Sequence, residues 1–140
     1  MLSIHSLLLT AAVTILAIIF YIVAAMRVGR AREKYAIMAP ATTGHPQFER
    51  AYRVQMNTLE AMPVFLPALW LAAYYFTKLP LLAPAVGLIW IVGRVIYMQA
   101  YIEDPTKRSL GFGISALSQI VLLLLAIAGI VMTWSSTAAA

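Results

Sequence analysis

From Leu7 to Met26 the chain runs without a charged side chain, and it does so again from Leu110 to Trp134. A bilayer core is crossed by about 20 consecutive apolar residues in a helix. Runs of this length fix the solvent before they fix the fold, because in lipid every backbone polar group must be satisfied internally and a helix does this within one segment. The rest of the sequence agrees. Hydrophobic side chains make up 63% of the 140 residues and charged ones 11%, whereas a soluble domain carries about 25% charged residues. The sequence therefore predicts an all-α integral membrane protein in which lipid covers most of the surface.

The length allows a single domain over 1–140, nearly all of it used by four helices over about 5–30, 48–77, 81–103 and 110–134. The positive charges follow the first apolar run rather than precede it, the reverse of a cleavable signal peptide, so it is expected to be retained. A polar connection with Pro40, Gly44 and Pro46 follows. The second helix is polar from Glu49 to Glu60, and Pro63 and Pro67 each remove one backbone bond, which predicts a kink turned toward protein. Short connections make consecutive helices antiparallel, an up-down four-helix bundle. The terminal Ser-Ser-Thr-Ala-Ala-Ala reads as a frayed end.

The net charge of +5 does not point to nucleic acid, since nine of the ten Lys and Arg residues lie in or beside the first and third connections and only Lys78 lies at the other end. By the positive-inside rule that basic end is cytoplasmic and both termini face away from it. There is no cysteine, hence no disulfide or thiolate site. His5 and His45 are too isolated to propose as metal ligands, and no metal is expected.

An ionisable side chain inside a membrane helix is costly and by default marks function. Arg53, Asn57 and Glu60 recur at spacings of four and three, and so fall on one stripe of the second helix. Arg94, Tyr97 and Tyr101 do the same on the third, and Arg108 follows one turn after Pro105. A structural reading competes at each position: Arg53 with Glu60, or Glu49 with Arg53, as register-holding ion pairs, and Tyr97 and Tyr101 as an interfacial aromatic belt. Trp70, Trp90 and Trp134 are assigned to belt or packing roles, and Gly111 and Gly113 to close helix approach. The set as a whole carries more donors than acids, which suits an anionic ligand.

The segment Phe48-Glu-Arg-Ala-Tyr-Arg-Val-Gln-Met-Asn-Thr-Leu-Glu60, followed by Pro63, and the segment Ile91-Val-Gly-Arg-Val-Ile-Tyr-Met-Gln-Ala-Tyr101, continuing through Asp104 to Ser109, resemble the membrane-associated proteins in eicosanoid and glutathione metabolism, the MAPEG family. With Ala41-Thr-Thr-Gly44 the resemblance spans nearly the whole chain. It looks closest to the type 3 microsomal glutathione transferase branch and is related to leukotriene C4 synthase. It implies a homotrimer with glutathione as cosubstrate, bound between subunits at the cytoplasmic side. Matching positions imply glutathione contacts from Arg53, Asn57, Glu60, Tyr97 and Tyr101, contacts from the adjoining subunit by Arg32 and Gln55, and activation of the thiol by Arg108 with help from Tyr101. Ala61 and Glu33 depart from the leukotriene synthase, which has a tyrosine and an arginine there.

These expectations describe a glutathione transferase, with peroxidase activity as a second use of the same thiolate, acting on hydrophobic electrophiles or lipid hydroperoxides that arrive from membrane lipid. The alternative is a non-enzymatic lipid-binding accessory protein of the same fold, which has no need of the polar set. A small drug exporter is disfavoured because the first helix lacks an acid. No endoplasmic reticulum retrieval signal is present at the C-terminus, so a bacterial inner membrane and a eukaryotic endoplasmic reticulum both remain open.

Overall fold

The computed structural model describes residues 3–138. Ser3 caps the first helix, α1 (Ile4–Lys34), its side chain accepting from the Ser6 amide at 3.1 Å. The expected boundary near residue 30 is corrected to Lys34: Arg, Ala, Glu and Lys are good helix formers, and Arg32 and Lys34 in the last turn suit the negative end of the helix dipole. At 1.5 Å per residue α1 is roughly 46 Å long, more than a core of about 30 Å, so its basic end projects.

His45 caps α2 (Pro46–Tyr75), Nδ1 accepting from the Gln47 amide, with Pro46 at the first turn. The helix runs unbroken through Pro63 and Pro67. Both prolines are exposed on the surface of the chain, where they line a groove with Ile18 and Tyr21 of α1. Phe65, Leu69 and Ala72 form the buried face, and residues two positions away lie nearly opposite it on a helix. The third helix, α3 (Leu82–Glu103), leads through a 3-10 turn (Pro105–Arg108) into α4 (Ser109–Ala138). The expected fraying at the C-terminus is likewise corrected as far as Ala138. Ser135, Ser136 and Thr137 donate back to carbonyls of the preceding turn, and only the last two residues of the Ser-Ser-Thr-Ala-Ala-Ala segment lie outside the described residues.

The direction of each helix follows from its neighbours. Ser6 Oγ donates to the carbonyl of Pro80 at 2.6 Å, Phe20 packs with Val54 and Tyr97, and Val28 packs with Phe48. Position along α1 thus rises as position along α2 falls, the signature of antiparallel neighbours. Three segments, Ile4–Lys34, Leu82–Glu103 and Pro105–Ala138, are long and apolar enough to cross a membrane. The remaining helix, α2, is long enough but too polar in its first half, and it touches each of the other three. This is an integral membrane four-helix bundle. Ile15, Ile19 and Ile22 on α1 and Leu124, Ile127 and Val131 on α4 are exposed, as a lipid-facing surface requires.

The core lies toward the end opposite the basic loops. There Phe65 stacks on Trp90 at 3.8 Å between ring centres, surrounded by Val13, Ala68, Leu69, Ala72 and Leu122. Trp90 thus packs, as expected, while Trp134 is exposed near the end of α4.

Candidate functional site

The polar half of α2 faces α3 and the start of α4. Between them lies a cavity of about 430 Å³ lined by Arg53, Asn57, Tyr97, Arg108, Ser109 and Phe112. A second, of about 380 Å³, shares Arg53 and adds Glu49, Arg50, Tyr52 and Tyr101 toward the connection after α1. A third, of about 210 Å³, shares Asn57 and Phe112 and reaches along α4 past Glu60, Arg94, Ser115 and Gln119. The first two volumes suit a small-molecule ligand. One boundary of the group is cationic and polar; another, at Ala61, Val64 and Ala116, is apolar.

Each wall has a local cause. Arg50 Nη1 donates to the carbonyls of Ile102 and Glu103, which closes the end of α3 against α2 and fixes where the 3-10 turn begins. Asp104 caps that turn, accepting from the backbone N–H and hydroxyl of Thr106 at 3.0 and 2.8 Å. These bonds hold its carboxyl below the usual carboxylate range. The bond from Lys107 to Glu103 at 3.1 Å raises the Lys107 ammonium. The turn delivers Arg108, whose guanidinium carbon stands 5.8 Å from the Tyr101 ring centre. Gly111 lets α4 close on α3 immediately below: a Cβ there would fall 2.2 Å from the Tyr97 nitrogen. Gly113 has nothing within 4 Å of such a Cβ, so close approach explains only one of the two glycines.

Tyr97 is 3% exposed and does not form an interfacial belt; its ring lies 5.4 Å from that of Tyr101, which is half-buried. Arg53 and Glu60 do pair, at 3.7 Å, with side chains 57% and 52% exposed. An exposed pair of this length adds little stability, so both groups stay available to a ligand. Glu49 bonds the Gly44 amide instead of Arg53.

The structure does not bring every expected residue to this place. Gln55 turns to α1, its Nε2 3.4 Å from the Tyr21 hydroxyl. Arg32 donates to the carbonyl of Ala41 at 2.8 Å and lies over the Phe48 ring. Neither lines any of the three cavities. The two residues expected to act from an adjoining subunit therefore lie apart from the six others within one chain.

Arg94 belongs to the α3 stripe, but its role was not legible in the sequence. It is 1% exposed. Its Nη1 donates to Asn57 Oδ1 at 2.9 Å and its Nη2 to Thr58 Oγ1 at 2.8 Å. The guanidinium also lies 4.3 Å from the Tyr97 ring centre. Thr58, Ser109 and Phe112 were missed altogether; none carries a charge, and nothing in their local sequence marks them.

A four-helix membrane bundle with a cationic cleft at one end is the class that fold and site define. Residues 10–128 match the MAPEG family, and the chain belongs to that family. It is 42% identical to human microsomal glutathione S-transferase 2 over 122 residues, 87% of this chain and 82% of the relative. It is 36% identical to guinea-pig (Cavia porcellus) leukotriene C4 synthase over 122 residues, 87% and 80% of the two chains. An uncharacterized protein of Synechocystis is 46% identical over 113 residues, 81% of each.

Proposed function

We propose that the protein is a membrane-embedded glutathione transferase that binds glutathione in the cationic cleft between α2, α3 and the start of α4. The observation that carries this reading is the cavity walled by Arg53, Asn57, Tyr97 and Arg108. Two arginines, an amide and a phenol answer the two carboxylates and the amides of the tripeptide, and Glu60 is placed for its ammonium. The name of the human relative, a microsomal glutathione S-transferase, supports the same cosubstrate.

Arg108 is the group proposed to act on sulfur. A free thiol has a pKa of about 8.5, and an opposite charge a few ångströms away lowers a pKa by about 1 to 3 units. The guanidinium keeps its own proton, so the thiol proton leaves to water and the thiolate remains beside the positive charge. The sulfur lone pair then forms a bond to the electrophilic carbon while the leaving group departs with the bonding pair. Tyr101 is proposed to donate a hydrogen bond to sulfur. Ala61, Val64 and Ala116 offer the apolar side from which a hydrophobic substrate reaches the thiolate. The same thiolate is proposed to attack the terminal oxygen of a lipid hydroperoxide: the O–O bond breaks, and the alkoxide leaves and takes a proton from water to become the lipid alcohol. The glutathione sulfenic acid so formed reacts with a second glutathione to give the disulfide and water.

Arg32 and Gln55 enter this reading through a neighbouring copy, in a homotrimer that sets one chain's α1 face against the next chain's cleft. In support, those two side chains lie outside the cleft of their own chain. The basic end faces the cytoplasm, following the charge bias of the loops.

The test is glutathione-dependent conjugation of an aromatic halide by the detergent-purified protein, with glutathione binding titrated in parallel. Arg108→Ala is expected to lower kcat by about 100-fold or more, the usual effect of removing one donor to a developing anion, while glutathione binding changes by less than about tenfold. Unchanged turnover overturns the role of Arg108. Absence of glutathione binding in the wild type overturns the function and favours the lipid-binding alternative.

A further inference from the structure

Resting on the glutathione reading, we infer that Arg94 is a positioning residue that fixes the Asn57 amide with its N–H2 turned into the ligand cleft. A guanidinium has only donors. The Asn57 atom that meets Arg94 Nη1 at 2.9 Å is therefore the carbonyl oxygen, whichever way a free amide would turn. That contact leaves Nδ2 as the end available to the cavities that Asn57 lines on two sides. Among the described residues nothing accepts a hydrogen bond from it. Asn57 is thus presented as a donor, matched to a carboxylate or peptide oxygen of the ligand and mismatched to its ammonium.

The arrangement around Arg94 holds this orientation firmly. Thr58 Oγ1 accepts from Nη2 and gives its own proton to the Val54 carbonyl at 2.8 Å, so the hydroxyl cannot turn away. The Tyr97 ring covers one face of the guanidinium. The charge itself has no carboxylate partner among the described residues, and its Nε is buried without any partner. A buried charge held only by neutral groups is costly, and a tie between two helices needs no charge. A role in orienting Asn57 accounts for a group with donors only at this position, where a tie alone does not.

The experiment is a titration of glutathione against detergent-purified wild type, Asn57→Ala, Arg94→Gln, the double variant, Arg94→Lys and Asn57→Asp, with thermal unfolding of each. Losing one hydrogen bond to a charged or polar ligand group weakens binding by about tenfold. Each of Asn57→Ala and Arg94→Gln is expected to raise Kd by about that factor, and the double variant by no more than the larger single effect, because Arg94 acts through Asn57. Arg94→Lys is expected to recover part of the loss, since an ammonium still donates to Oδ1. In Asn57→Asp the carboxylate keeps Arg94 paired, so the unfolding temperature stays at or above that of the wild type while Kd rises at least as far as in Asn57→Ala.

Multiplying effects, about 100-fold in the double variant, overturn the inference and leave Arg94 a structural tie. Wild-type affinity in Asn57→Asp overturns it independently, and that variant decides the matter even where Arg94→Gln does not fold. Both outcomes leave the glutathione reading intact, which fails only when the wild type itself does not bind.

Discussion

Near Tyr75 and Pro80 the helices meet through alanine and glycine, whereas near Arg53 and Arg108 α2 is bridged to α3 by long polar side chains. At the first end Ala68, Ala72, Ala73 and Ala83 are buried, and Gly129 sits so close to α2 that a Cβ would fall 2.5 Å from the Tyr75 carbonyl carbon. Lipid tails are as apolar as leucine, so close backbone approach replaces hydrophobic drive as the source of cohesion. At the other end α3 and α4 still close through Gly111, but the span from α2 to α3 is bridged by Arg94 with Asn57 and Thr58. Small residues set the helix contacts at one end, and polar side chains line the cavities at the other.

This contrast predicts that the two ends fail differently. Gly111→Val and Gly129→Val both force backbones apart and are expected to cost about 1–3 kcal/mol or more, seen as a lower unfolding temperature in detergent. Only Gly111→Val, which pushes on Tyr97, is expected to weaken glutathione binding as well; equal weakening by Gly129→Val would show that the ends are coupled. Gly113→Ala meets nothing and serves as the control, neutral or stabilising by up to about 1 kcal/mol.

A smaller effect is expected within the polar end. Glu60→Gln removes the carboxylate that lines the third cavity and is expected to raise the glutathione Kd by about tenfold. A glutathione analogue without the amino group should bind the variant and the wild type alike. If the analogue also loses affinity, Glu60 serves the site by holding Arg53 rather than by meeting the ammonium.

The smallest effect concerns the turn that delivers Arg108. Bonds from Thr106 lower the pKa of Asp104, so the stability it contributes is complete above the ordinary carboxylate pKa of about 3.9 and is lost as pH falls through the lowered folded value. Conjugation followed from neutral pH to about pH 5 should therefore show no loss traceable to Asp104. Asp104→Ala should lower the unfolding temperature slightly at neutral pH and not at all in strong acid. A decline near pH 5 that Asp104→Ala abolishes would contradict this account.

The amino-acid sequence by itself determined the membrane environment, the number and order of the helices, and the stripes on α2 and α3. Each depends on local quantities: run length against bilayer thickness, the cost of charge in lipid, and the angle between residues three and four apart. Helix ends were less legible, because basic residues beyond an apolar run propagate a helix as readily as they end a span. What only the tertiary structure decided is partnership between segments distant in the chain. Arg94 and Asn57 are each visible as polar residues, yet nothing local says that one orients the other, or that Gln55 turns to Tyr21 while Arg53 turns to the cleft. A hydrogen bond across two helices depends on their rotation and separation, and those are set by where alanine and glycine let the helices touch elsewhere in the bundle.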